Sequence, residues 1–168
     1  MSTNIEIKAR YPDYRLFKEK IRTLPVTFVG LDEQRDVFFN TAMGRLKLRS
    51  SSLSGPYLIP YIRPDQAGPK RSDYVLIPVE NAELTEQLLS RILGVGKIVE
   101  KNRTLYLYKN VRIHFDRVNG LGSFIEFEAV AEDEKSIDEE KQKINFLLNH
   151  FSVAQDELVA QAYADLVK

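Results

Sequence analysis

Cysteine is absent from this chain of 168 residues, which excludes disulfides, thiolate catalysis and thiolate-bound zinc. Charge of one sign is not in surplus either, because 24 Lys and Arg balance 24 Asp and Glu. Any basic site must therefore be local, and partners that draw on a net positive field, nucleic acid or an acidic membrane, are not expected. No apolar run approaches the roughly 20 residues needed to cross a bilayer. The opening Met1-Ser2-Thr3-Asn4-Ile5-Glu6 carries no signal-peptide core. A soluble cytoplasmic protein with one domain over 1–168 is the expectation, long enough to bury a substantial core.

What is present is a set of strands with ionised faces. Strand side chains alternate with period two, so Asn4-Ile5-Glu6-Ile7-Lys8-Ala9-Arg10 has Asn4, Glu6, Lys8 and Arg10 on one side and Ile5, Ile7 and Ala9 on the other. Phe124-Ile125-Glu126-Phe127-Glu128 repeats the pattern with two acids. Arg45-Leu46-Lys47-Leu48-Arg49 and Arg112-Ile113-His114-Phe115-Asp116 do the same, and Lys101 and Arg103 share one side of another strand. A single strand of this kind is an ordinary half-buried strand with its polar face in water. Together the strands segregate charge, with cations at Arg45, Lys47, Arg49, Lys101 and Arg103 and acids at Glu126 and Glu128. That division suits a polyanion with its metal.

Strand signals fall at about 3–10, 26–30 with 34–39, 45–50, 57–63, 72–78, 97–108, 110–118 and 122–131. That is about eight strand units, enough to close a barrel. Pro12-Asp13 opens a helix carrying Leu16, Phe17, Ile21 and Leu24, which Pro25 ends. Asn81 caps a second, with Leu84, Leu88, Leu89, Ile92 and Leu93 in one stripe and Gly94 as its stop. Ser136 begins a third with Ile144, Leu147, Leu148 and Phe151, and Asp156 begins a fourth with Leu158, Val159, Tyr163, Leu166 and Val167.

These helices need an apolar surface, and the faces bearing Ile5, Ile7, Leu46, Leu48, Ile113, Phe115, Ile125 and Phe127 supply one. If those faces look outward, the charged faces look inward. Ions packed without water would cost several kcal/mol for each unpaired group. The interior is therefore expected to be a wet tunnel. Asn119-Gly120-Leu121-Gly122 reads as a tight turn between two of the ionised strands, which brings Asp116 near Glu126. The stretches 50–56 and 63–70 read as hairpin loops.

Other candidates have plain structural readings. Asp116 beside Arg112 fits a salt bridge as well as a ligand, and His114 fits a hydrogen-bonded structural histidine as well as a ligand or proton carrier. Tyr57, Tyr61, Tyr106 and Tyr108 read as strand packing, and Lys141 and Lys143 as solvated surface. The acidic run Glu132-Asp133-Glu134 with Asp138-Glu139-Glu140 reads as a helix start favoured by the macrodipole.

The ordered motifs resemble those of CYTH domains, the group that holds class IV adenylyl cyclases, thiamine triphosphatases and inorganic triphosphatases. Glu6-Ile7-Lys8 is similar to the latter part of a Glu-x-Glu-x-Lys opening. Gln34-Arg35-Asp36-Val37-Phe38-Phe39, Leu46-Lys47-Leu48-Arg49, Glu100-Lys101-Asn102-Arg103, Val111-Arg112-Ile113-His114-Phe115-Asp116 and Gly120-Leu121-Gly122-Ser123-Phe124-Ile125-Glu126-Phe127-Glu128 follow in the family's order, and Tyr163-Ala164-Asp165-Leu166 resembles its ending. The resemblance spans nearly the whole chain and is nearest to the class IV cyclase-like branch.

The resemblance implies an α+β fold, an eight-stranded antiparallel β-barrel forming a triphosphate tunnel with helices packed on the outside. It makes Lys8, Lys47, Arg49, Lys101, Arg103 and Arg112 phosphate ligands, and Glu6, Asp116, Glu126 and Glu128 ligands of Mg²⁺ or Mn²⁺. Arg63, beside a place where the family often has lysine, is a further substrate-binding candidate that can replace the charge but hardly a base. Guanidinium groups grip phosphate through paired donors, and magnesium prefers carboxylate oxygen. Two positions depart from the pattern. Asn4 stands in the place of the first Glu, and Ile62 stands where many members carry a lysine two residues before the proline.

The implied activity is metal-dependent conversion of ATP to cyclic AMP and pyrophosphate. Hydrolysis of a nucleoside, thiamine or inorganic triphosphate is the first alternative, and a non-catalytic nucleotide- or polyphosphate-binding module is the second. The expected partner is a small triphosphate, with a homodimer left open.

Overall fold

Residues 2–131 and 136–168 are described by the computed structural model, Ser2 and Thr3 by backbone only, and the run Glu132-Asp133-Glu134 lies outside them. In chain order the elements are β1 (Ser2–Arg10), α1 (Tyr14–Ile21), β2 (Thr27–Phe39), β3 (Arg45–Ser51), β4 (Tyr57–Ile62), β5 (Lys70–Tyr74), β6 (Ile77–Pro78), α2 (Ala82–Leu93), β7 (Val95–Tyr108), β8 (Val111–Val118), β9 (Gly122–Ala131), α3 (Ile137–His150) and α4 (Tyr163–Leu166). The strands pair antiparallel in the order β3-β2-β7-β8-β9-β1-β5-β4, and β3 pairs with β4 to close the ring. The result is the expected eight-stranded barrel with helices outside. Closure leaves these strands without the open edges that an unclosed sheet would present.

Where the boundaries differ from expectation, hydrogen bonding explains most of it. The two pieces expected at 26–30 and 34–39 are one strand, because β2 keeps its pairing with β7 through bulges at Phe28/Gly30 and Phe38/Phe39. The strand expected at 72–78 is divided. Its first part pairs chiefly with β1, and its second crosses to the start of β4 at Tyr57 and Leu58. The helix expected from Asp156 does not form there: Gln155–Glu157 makes one 3₁₀ turn and Tyr163–Leu166 the only α-helical turn that follows. Between them the backbone pairs with β1 instead, through the Ala9–Leu158 bridge and a 2.9 Å bond from Val159 N to Lys8 O.

The capping signals in the first two helices behave as read. Asp13 accepts from Leu16 N at 2.9 Å and Asn81 from Leu84 N at 2.9 Å. Gly94, at φ +76, ends α2 in a conformation suited to glycine. The outward faces of β1, β8 and β9 carry Ile5, Ile7, Ile113, Phe115, Ile125 and Phe127. Phe17 and Ile21 from α1 and Ile144, Leu147 and Phe151 from the α3 end cover them. A smaller cluster of Val37, Phe39 and Leu48 takes Leu89 and Leu93 from α2, whereas Leu84, Leu88 and Ile92 of the expected stripe stay exposed. Because these clusters lie outside the ring, the ionised faces of the strands must line its interior. Among the described residues no helix is long and apolar enough to cross a membrane.

Candidate active site

The bore of the barrel is a cavity of about 510 Å³, lined by Lys8, Lys47, Arg49, Arg63, Lys101, Arg103 and Arg112 together with Glu6, Asp32, Asp36, Glu126 and Glu128. Every cation expected to bind phosphate lies here, as do three of the four expected acids, whereas Arg45 is not among the lining residues. Asp116, the fourth, sits behind them with no exposed surface. Alternation on each strand accounts for the convergence: Glu6 and Lys8 from β1, Arg112 and His114 from β8, and Glu126 and Glu128 from β9 are cross-strand neighbours in the pairings Glu6–Glu128, Lys8–Glu126, Arg112–Glu128 and His114–Glu126.

Two buried anions anchor the cations. Asp116 accepts from Arg103 Nε and Nη2 at 2.7 Å each, from Tyr163 Oη at 2.9 Å and from Lys101 Nζ at 3.3 Å. Burial would raise its pKa, but Arg103 and Lys101 hold the carboxyl well below the usual carboxylate range. Asp36 on β2, across β7 from Asp116, takes the same role, accepting from Arg49 at 2.7 and 2.6 Å and from Lys47 at 3.0 Å, and its pKa is driven down likewise. Burial pushes Lys101 down to about 7, with Arg103 adding to the shift, and Lys47 to about 8, with Arg49 adding.

The remaining acids are differently placed. Glu126 pairs its Oε2 with Lys8 at 3.2 Å, and Glu128 pairs its Oε2 with Arg112 at 2.9 Å. Burial would raise the pKa of Glu126, but Lys8, with smaller contributions from His114, Glu128 and Arg103, holds it well below its ordinary value. Glu6 receives Arg63 at 2.9 Å, yet burial and the nearby Glu126 and Glu128 raise its pKa. His114, Glu126 and Glu128 each present one ligand atom within 4.8 Å of the others. His114 is 2% exposed, and its Nδ1 finds no hydrogen bond among the described residues. A buried orphan atom beside two carboxylates fits a divalent cation.

The two ends of the bore differ. At one, the segment after α3 lies across the opening: Tyr163 packs on Phe124, its ring centroid is 3.8 Å from Lys8 Nζ, and Arg45 binds Asp165 at 2.8 Å. At the other, Val29, Leu53 and Leu76 line the cavity while remaining 50%, 49% and 49% exposed, beside Tyr57 and Leu105. Along β8 the side-chain exposure falls from 35% at Arg112 through 2% at His114 to 0% at Asp116, so Arg112 marks the open end.

Several site residues escaped the sequence reading. Asp36 and Gln34 alternate with Asp32 on β2, a polar periodicity that was visible but sat inside a strand read as two pieces. Tyr57 and Tyr61, read as packing, line the cavity, while Tyr106 and Tyr108 pack outside against Phe17 and Phe146. Lys70, read as the end of a loop, is 1% exposed and donates to Gln66, Val159 and Ala160 carbonyls at 3.1, 3.3 and 3.1 Å. Burial, with Arg63 adding, lowers its pKa to about 8. Ile62 points outward at 71% exposure, and the inward cation at this strand end is Arg63, whose side chain is 3% exposed. Lys143, expected on the solvated surface, is tied at 18% side-chain exposure to Glu139 and Glu140.

Residues 2–163 match the family model of the CYTH domain. MJ0240 of Methanocaldococcus jannaschii, provisionally designated an adenylate cyclase, is 23% identical over 96% of this chain and 97% of its own. The PH1012 protein of Pyrococcus horikoshii OT3 superposes with a TM-score of 0.86 at 24% identity, covering 100% of both chains. HpAC1 of Hippeastrum, an adenylyl cyclase by provisional name that is described as revealing a dominant triphosphatase activity, has a TM-score of 0.62 at 14% identity over 96% of this chain and 91% of its own.

Proposed function

Because the chain belongs to the CYTH domain family, we propose that it is a metal-dependent enzyme that takes an organic triphosphate into the bore and converts ATP to cyclic AMP and pyrophosphate. The observation that carries this reading is the order of groups along the bore. Apolar side chains rim the open end, the acids and His114 come next, and Arg103, Lys101 and their anchoring Asp116 lie deepest.

A nucleoside entering by its phosphates leaves its base among Val29, Leu53, Tyr57 and Leu76 and drives the terminal phosphates toward Lys47, Arg49, Lys101 and Arg103. Glu126 and Glu128, with Glu6 beside them, would hold Mg²⁺ or Mn²⁺ in the bore. A bound divalent cation supplies Lewis-acid neutralisation of phosphate charge. The side chains of the bore hold the ribose 3′-hydroxyl in line with the α-phosphorus: its oxygen forms the new O–P bond as the bond to the bridging oxygen breaks, and its proton passes to water in the bore. The departing pyrophosphate carries the electron pair into the cationic end.

Resident ion pairs couple the two ligands. When Glu126 and Glu128 share their charge with a bound cation, their hold on Lys8 and Arg112 weakens and these two are more readily drawn to phosphate. Cation and triphosphate therefore assist each other's binding.

HpAC1 supports a second reading, in which water attacks the terminal phosphorus of the same substrate. Incubating the purified protein with ATP, thiamine triphosphate or tripolyphosphate in Mg²⁺ or Mn²⁺ separates them. Cyclic AMP with pyrophosphate from ATP is the expected result. Orthophosphate alone transfers the assignment to hydrolysis, and binding without turnover leaves a nucleotide-binding module.

A further inference from the structure

We propose that His114 is a metal ligand through Nδ1, giving the cation site one nitrogen beside the Glu126 and Glu128 oxygens and a preference for transition-metal ions such as Mn²⁺ over Mg²⁺. This rests on the metal-dependent reading above and adds to it a donor atom and the selectivity that follows.

The argument begins with hydrogen bonding. A buried imidazole nitrogen without a partner is destabilising and calls for an explanation. His114 Nδ1 lies 3.5 Å from Glu126 Oε1 and 4.0 Å from Glu128 Oε1. The first distance is too long for a good N–H···O bond, and the second is longer still. Each carboxylate gives its other oxygen to a cation, Glu126 Oε2 to Lys8 and Glu128 Oε2 to Arg112. The two Oε1 atoms and Nδ1 are thus left facing one another. Arg103 Nη2 approaches Glu126 Oε1 only at 3.5 Å.

The spacing suits coordination. Donors held about 2.0–2.2 Å from a common ion lie about 3–4.4 Å apart, depending on the angle between them. The two separations from Nδ1 fall within that span, and all three ligand atoms lie within 4.8 Å of one another. Ligation through Nδ1 requires its lone pair, with the ring proton on Nε2. Imidazole is a borderline donor that suits first-row transition metals, whereas Mg²⁺ selects oxygen and retains water. One nitrogen with two carboxylates therefore separates the two classes of ion in a way that an all-carboxylate site does not.

The test uses Mn²⁺ and tripolyphosphate with the full-length protein and reads electron spin-echo envelope modulation from nitrogen at the metal, in natural-abundance protein and in protein labelled with ¹⁵N-histidine. The chain has 2 histidines. The other, His150, sits on α3 with its Nε2 against Lys20 O at 2.9 Å and Thr23 Oγ1 at 3.1 Å. A histidine nitrogen signal that changes on labelling and disappears in His114→Gln is expected. Mn²⁺ affinity should fall about tenfold or more and Mg²⁺ affinity no more than about twofold. The labelled wild-type measurement needs no variant to fold. Bound Mn²⁺ without histidine coupling overturns the inference and leaves the metal-dependent reading standing. Failure to bind Mn²⁺ even with tripolyphosphate overturns both.

Discussion

Replacing Asp116 by Asn should destabilise the protein far more than most single changes at a polar side chain. The carboxylate has no exposed surface and neutralises Arg103 and Lys101 while accepting from Tyr163. Asparagine keeps the shape and removes the charge, so two buried cations lose their common counter-ion. Breaking a buried pair in this way costs about 3–5 kcal/mol. For a chain of this size that corresponds to a fall in Tm of roughly 6–20 °C.

The pH dependence has a definite sign. The folded-state pKa of Asp116 is depressed, so its stabilisation is fully present above the unfolded value near 3.9 and is lost as pH falls below it toward the folded value. Urea denaturation of wild type and Asp116→Asn at several pH values between neutral and acid would measure both effects. The gap should be largest near neutrality and narrow in acid. Adding Arg103→Gln to Asp116→Asn should recover part of the loss, because the strongest uncompensated charge is then gone. Equal stability of wild type and Asp116→Asn across this range would refute the placement of Asp116 as the anchor of the deep cations.

Other consequences follow from the same geometry. Glu128→Gln frees Arg112, so tripolyphosphate affinity measured by calorimetry in EDTA should rise a few-fold while the gain on adding Mn²⁺ shrinks. Since Lys101 titrates at about 7 and a polyanion favours its charged form, triphosphate binding at pH 8 should take up protons. Calorimetry in buffers of different ionisation heat would show this, and Lys101→Met should reduce the uptake. Leu53→Ser with Leu76→Ser removes half-exposed rim contacts worth about 1 kcal/mol each. ATP affinity should fall roughly tenfold or more while tripolyphosphate affinity is unchanged. Phe127→Ala, which opens a cavity between barrel and helices, should cost about 3–5 kcal/mol in denaturation experiments.

Period-two alternation made the barrel legible. Once Ile5, Ile7, Ile113, Phe115, Ile125 and Phe127 were assigned to helices, the charged residues between them had only the interior to face. Residues on long regular strands, such as Lys8, Lys101, Arg103 and Glu126, were therefore readable from local pattern. Lys70 and the 158–162 segment were not, because both depend on contacts between distant parts of the chain: Lys70 is held by carbonyls some ninety positions away in sequence, and Leu158 pairs with β1 where its apolar neighbours suggested a helix. The partner of Asp116 was also misread. Its sequence neighbour Arg112 points toward the open end, whereas the cross-strand partner Arg103 closes the pair. Asp36 sits in the regular stretch of β2 between the two bulges, and reading that strand as two pieces separated it and Gln34 from Asp32, the third member of their alternation.

The most direct test is calorimetric competition between ATP and tripolyphosphate for wild-type protein in Mn²⁺, at two salt concentrations. The account predicts one shared site per chain, mutual displacement and weaker binding in the higher salt, as a tunnel lined by cations requires. Absence of binding at millimolar concentrations, or binding of the two ligands without displacement, would contradict it.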